Sequence, residues 1–155
     1  KSDGPVWIRT GDQRMHPTNV LLIDDEEAFL GAIKRRLEKR GLKIKQALSG
    51  QEGIRALHDN PDTDVVILDV KMPGMDGIQT LREIKRLFPI VEVIMLTAHG
   101  TIETAIEGMN LGAFDFLMKP CEMGDLMAKV EQARRRRQEH QQRIAEATDK
   151  ELSKQ

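Results

Sequence analysis

Three runs of consecutive apolar residues, VLLI at 20–23, VVIL at 65–68 and VIML at 93–96, constrain this chain more than any other feature. Each is too short for a helix and long enough for a strand. A strand that is apolar on successive residues must be covered on both faces, the pattern of a parallel sheet packed between helices. The intervening segments supply the helices. Phe29, Ile33 and Leu37 are spaced helically within 26–40, and Gly41 supplies a stop. Ile78, Leu81 and Ile84, with Leu87 or Phe88, mark a helix closed by Pro89, and Ile102, Ala105, Ile106 and Met109 mark another that stops near Gly112. Ser49 and Glu52 form an S-x-x-E capping box opening a helix through Leu57. With KIKQA (43–47) as a half-buried strand, AFDFLM (113–118) as a fifth strand and a last helix from about Glu122, five strands alternate with five helices. The fold class is α/β, a doubly wound five-stranded parallel sheet with helices on both faces.

Of the 155 residues, 39% are hydrophobic and 32% charged, and the formal net charge is −1, so the chain is not built as a whole for nucleic acid or an anionic membrane. A single cysteine, Cys121, excludes an internal disulfide framework and fits a reducing, cytoplasmic setting. No apolar run approaches the roughly 20 residues of a membrane span. Residues 1–18 read as a flexible N-terminal extension or a remnant of added sequence, 19–133 as the folded domain, and 134–155 as a helical extension or linker whose first two-thirds is helical and whose end is frayed. The four consecutive arginines at 134–137 read as a solvated helix face.

In an open parallel sheet, ligands bind beyond the carboxyl ends of the strands. The residues that follow each strand therefore define the candidate site. The first strand runs into Asp24 and Asp25, the third into Asp69, the fourth into Thr97, and the fifth into Lys119 and Pro120. Each alone has a bland reading: a helix N-terminus for the acids, a turn for PGMDG, a satisfied hydroxyl, a solvated lysine. Their joint placement at one sheet edge does not. Three converging carboxylates repel one another, and a hard divalent cation such as Mg²⁺, with oxygen ligands, relieves that repulsion. A metal, a hydroxyl, a lysine and a carboxylate nucleophile are what phosphoryl transfer to aspartate requires.

The motifs IDDE, LDVKMPGMDG, LTAHG and FDFLMKP, in this order and at these separations, resemble the receiver domain of bacterial two-component response regulators across about three-quarters of the chain. The resemblance implies a flavodoxin-like sheet of order 2-1-3-4-5. It implies that Asp69 accepts a phosphoryl group from a sensor histidine kinase. It implies Mg²⁺ held by Asp24, Asp25, Asp69 and the backbone carbonyl of Lys71, with Asp24 acting partly through water. Thr97 and Lys119 would meet the phosphoryl oxygens, Thr97 and Phe116 would act as the switch pair, and the Lys119–Pro120 bond would be cis. Phe116 stands where other members carry tyrosine and has no hydroxyl to donate, while Lys71 and His99 flank the site where the lifetime of the acyl phosphate is tuned. The stretch HGTIETAIEGMNLGAFDFLMKP further resembles receivers attached to enhancer-binding, AAA+ transcription activators.

The reading that follows is a phosphorylation-dependent switch, not an enzyme beyond its own phosphorylation and dephosphorylation. It would form a homodimer through the face of helix 4, strand 5 and helix 5, contact DNA only through an output domain beyond this sequence, and lie outside any membrane. Two alternatives are a phosphatase-like aspartyl-phosphate enzyme, for which no second acid is suitably spaced, and a phosphorylation-independent binding module, which would lack part of an acidic set that is complete here.

Overall fold

In the computed structural model, which describes residues 17–70, 76–98 and 101–153, the five strands are β1 (Asn19–Ile23), β2 (Lys43–Ala47), β3 (Val65–Leu68), β4 (Glu92–Thr97) and β5 (Asp115–Met118). All pair in parallel, in the order β2-β1-β3-β4-β5. The helices are α1 (Glu27–Glu38), α2 (Gly50–Asp59), α3 (Gly77–Leu87), α4 (Ile102–Asn110) and α5 (Met123–Ser153). The doubly wound topology expected from the apolar runs is the one observed.

Successive strand residues point to opposite faces, and the consecutive apolar runs split accordingly. Val20, Leu22, Val65, Ile67, Ile94 and Leu96 meet Leu30, Ile33 and Leu37 of α1 and Leu126 and Val130 of α5 on one face. Leu21, Ile23, Val66, Leu68, Val93 and Met95 meet Leu57 of α2 and Leu81 and Ile84 of α3 on the other. The β2 strand lies at the edge and is half-buried, with Ile44 buried on one face and Ala47 on the other, and Lys43, Lys45 and Gln46 exposed. Lysines on such an edge discourage pairing with another chain.

The helix ends follow local chemistry. Ser49 Oγ accepts from the Glu52 N–H at 3.2 Å, while the Glu52 carboxylate reaches past Ser49 to accept from the Leu48 N–H, also at 3.2 Å. A full capping box, absent from the sequence reading, opens α3: Asp76 caps the Gln79 N–H and the Gln79 side chain caps the Asp76 N–H. Gly41 and Gly112 follow α1 and α4 with φ of 91° and 105°, a region that favours glycine at helix ends.

The C-terminal helix departs from expectation twice. It remains helical to Ser153, past the point where fraying was expected. Its last turns are rich in helix-forming Ala, Glu, Lys and Gln. Further, 134–137 is not one solvated face. Arg134 and Arg137 are buried, and only Arg135 and Arg136 are exposed. The reason is periodicity: the buried stripe of Leu126, Val130 and Ala133 continues at helical spacing into Arg134 and Arg137. There it meets acids at the amino-terminal edge of the sheet instead of more apolar residues. Arg137 donates to Asp64 Oδ1 at 3.2 Å and to the Pro61 carbonyl at 3.3 Å, and Asp64 Oδ2 accepts from the Asn19 N–H at 2.8 Å. Arg134 pairs with Glu131 and donates to Gln138, and Arg136 lies 3.4 Å from the buried Glu92 at the start of β4.

Removing one partner of a buried ion pair strands the other. Asp64→Ala is expected to cost about 3–5 kcal/mol in urea unfolding, whereas Arg135→Ala, at an exposed position, should change stability by less than about 0.5 kcal/mol.

Candidate functional site

The parallel register brings the strand ends into one layer. Ile23 pairs with Leu68, Leu68 with Met95, and Thr97 with Met118. The residues that follow, Asp24, Asp69 and Lys119, therefore emerge side by side. The backbone ladder continues one step beyond the strands: Asp24 N–H donates to Ala47 at 3.1 Å, Asp69 N–H to Ile23 at 2.9 Å and Lys119 N–H to Thr97 at 2.9 Å. These bonds fix where each side chain starts. The Lys119–Pro120 bond is cis.

Asp24 and Asp69 are buried and Asp25 is exposed, yet one carboxylate oxygen from each lies within 4.8 Å of the others. Lys119 enters this group from the far side of the sheet edge. Its ammonium donates to Asp24 Oδ2 at 2.6 Å and to Glu26 Oε1 at 3.3 Å. Asp24 Oδ1 accepts from the Glu26 N–H at 2.9 Å. Thr97 is fully buried at the end of β4, and Phe116 on β5 is half-buried against the same core face as Met95 and Ala113.

Electrostatics divide the pair unevenly. Burial, reinforced by nearby Asp69, holds the Asp24 carboxyl above its ordinary value, although Lys119 and the Glu26 N–H pull the other way. Burial works to lower the Lys119 ammonium, but Asp24, Asp69 and Glu26 together outweigh it and hold the group above the usual lysine value. The ammonium is thus firmly charged where it meets the acids. Oxygen-only donors at this spacing fit a hard divalent cation.

Val70, which follows Asp69, makes a close approach to the start of α3. The Gly77 N–H donates to the Val70 carbonyl at 2.7 Å, and a Cβ at Gly77 would lie 2.3 Å from Val70 Cα and 2.4 Å from the Asp69 carbonyl oxygen. The last glycine of LDVKMPGMDG is therefore where α3 starts against the backbone of the proposed phosphoacceptor. Lys71 and His99, both singled out in the sequence, lie outside the described residues.

Two neighbours were not anticipated. Glu26, the residue before α1, reaches Lys119, and the Phe29 ring lies under the same ammonium, 3.9 Å from Nζ to the ring centroid. Their three-residue spacing puts both on one side of the α1 start, which is the available sequence signal.

Residues 20–131 match the response regulator receiver domain family. The chain belongs to that family. As a receiver domain it is a phosphorylation-dependent signalling switch of two-component systems. It is 36% identical over 115 residues to the transcriptional regulatory protein ZraR of Escherichia coli K12, covering 74% of this chain and 26% of that protein. It is 37% identical over 123 residues to the DNA-binding transcriptional regulator NtrC of the same strain, covering 79% of this chain and 26% of NtrC. The receiver thus spans about a quarter of these curated relatives. Among solved structures, a response regulator receiver domain protein from Clostridium thermocellum superposes with a TM-score of 0.75 at 42% identity, covering 78% of this chain and 97% of that one. NtrX from Brucella abortus gives a TM-score of 0.75 at 29% identity, covering 81% and 29%. No helix among the described residues is long and apolar enough to cross a membrane.

Two measurements probe this receiver site without any ligand. Gly77→Ala should lose on the order of 2–3 kcal/mol in denaturant unfolding, because the new methyl meets backbone. Lys119 has a raised folded-state pKa, so its stabilisation is complete below the unfolded lysine value and drains as pH rises through the folded one. Lys119→Met should therefore be markedly less stable than the parent at neutral pH, and the two unfolding curves should converge on the alkaline side of the ordinary lysine range.

Proposed function

We propose that Asp69 is the phosphoacceptor and that a phosphohistidine of a sensor kinase, or a small donor such as acetyl phosphate, supplies the group. The carboxylate oxygen of Asp69 attacks phosphorus. The bond from phosphorus to the donor breaks, the donor leaves with the electron pair, and an acyl phosphate remains on Asp69. The observation that carries this reading is the carboxylate of Asp69 at the end of β3, grouped with Asp24 and Asp25 and facing the Lys119 ammonium that Asp24 binds.

Asp24, Asp25 and Asp69 would hold a Mg²⁺ ion, with the Lys71 carbonyl as the further ligand that the family resemblance implies. Such an ion, when bound, neutralises charge on the transferred group and aligns it for in-line attack. The chain's own residues do the rest. Lys119 turns its ammonium from Asp24 to a phosphoryl oxygen, and Thr97, at the neighbouring strand end, donates its hydroxyl to another. Thr97 moving toward Asp69 opens space beside β4 that the Phe116 ring enters from β5.

That motion changes the face formed by α4, β5 and α5. Ile102 is 78% exposed, and Ile106, Met109 and Met118 are also exposed, an apolar set on α4 and β5 suited to a second copy of the domain. The names of ZraR and NtrC support a role in transcription. We place DNA contact in an output domain joined through α5, and the protein in the cytoplasm with its kinase. Incubation with acetyl phosphate and Mg²⁺ should add the mass of one phosphoryl group to the intact protein. The gain should vanish in Asp69→Asn and on chelation of the metal. An unchanged parent mass would overturn the proposal.

A further inference from the structure

We propose that Phe29 is a positioning residue for the phosphoryl transfer: its ring face keeps the Lys119 ammonium in the site while that ammonium exchanges a carboxylate for a phosphoryl oxygen. The inference rests on the function proposed above.

Lys119 has a fixed root and a free tip. Its N–H is bonded to Thr97, and a cis proline follows, but four methylenes separate the backbone from the charge. Among the described residues three groups hold the tip, and they are not equivalent. Asp24, at 2.6 Å, also belongs to the acid cluster, so this contact must be given up for the ammonium to reach Asp69. Glu26, at 3.3 Å, has a side chain 66% exposed, and water screens its attraction. The Phe29 ring, with its centroid 3.9 Å from Nζ, is half-buried and packed against the core face that includes Leu22, Leu30 and Leu96.

A ring face attracts a cation through its quadrupole over the whole face, without a hydrogen bond that must break when the cation slides. Partial burial of the lysine side chain, only 11% exposed, strengthens that attraction relative to an exposed pair. Phe29 is thus the one of the three holders that keeps its grip throughout the exchange and adds no negative charge to an acid-rich site. Leucine would fill much of the same core volume and lacks the quadrupole, so the aromatic face, not the bulk, holds the cation.

The experiment compares the parent protein with Phe29→Leu and Phe29→Tyr, each alone and with Lys119→Met. The first readout precedes any chemistry. In the parent without phosphodonor, the Lys119 ε-methylene protons should be shifted upfield by the ring, an effect lost in Phe29→Leu and kept in Phe29→Tyr. The second readout is phosphorylation by acetyl phosphate with Mg²⁺ across donor concentrations. Phe29→Leu should slow the maximal rate about three- to tenfold, the range of a partly desolvated cation–π contact, with the half-saturating donor concentration unchanged. Phe29→Tyr should restore the parental rate, and in the Lys119→Met background Phe29→Leu should have no further effect. Absence of the upfield shift in the parent would overturn the proposal, even if Phe29→Leu did not fold. So would a parental rate in Phe29→Leu, or equal slowing by Leu and Tyr. Failure of the parent to gain phosphate would instead overturn the function on which the proposal rests.

Discussion

Charge imbalance at the carboxyl edge of the sheet is the constraint around which the rest is arranged. Asp24, Asp25 and Asp69 bring oxygens within 4.8 Å of one another, and two of the three side chains are removed from water. Carboxylates so placed repel strongly, the more so where the surroundings are apolar. One ammonium, that of Lys119, binds into this group through Asp24 and Glu26.

The scaffold tolerates this because the sheet is over-determined elsewhere. Both faces are closed by apolar side chains from strands and helices, and the ladder bonds beyond each strand fix the backbone of Asp24, Asp69 and Lys119. At the opposite edge the charges are balanced instead: Asp64 meets Arg137, and Glu92 meets Arg136 and Lys85. One end of the sheet thus pairs its acids with arginines and a lysine, while the other gathers three acids around one ammonium.

Much of this was legible in the sequence, and for identifiable reasons. The strands were visible because parallel sheets demand consecutive apolar residues, and the residues gathered at the site edge followed from what comes next after each run. Boundaries moved by a residue or two, as with β5, which starts at Asp115 and not at Ala113. What escaped depends on partners distant in sequence. The burial of Arg137 depends on Asp64, 73 residues away, and four arginines in a row resemble a solvated face when no such partner is known. The place of Phe29 under Lys119 was hidden for the same reason: at helical spacing a phenylalanine reads as core, and only the return of the chain after β5 puts a cation on its ring.

The buried arginine clamp also sets the mechanics of the trailing helix. The residues of α5 beyond Arg137 continue to Ser153, about 24 Å along the axis at 1.5 Å per residue. Anchored at Asp64 and running past the core as one continuous helix, this segment behaves as a lever with its fulcrum at the sheet edge remote from Asp69. A tilt of only about 10° there carries the far end about 4 Å. Repacking too small to disturb the core can therefore become a displacement large enough to make or break a contact between proteins.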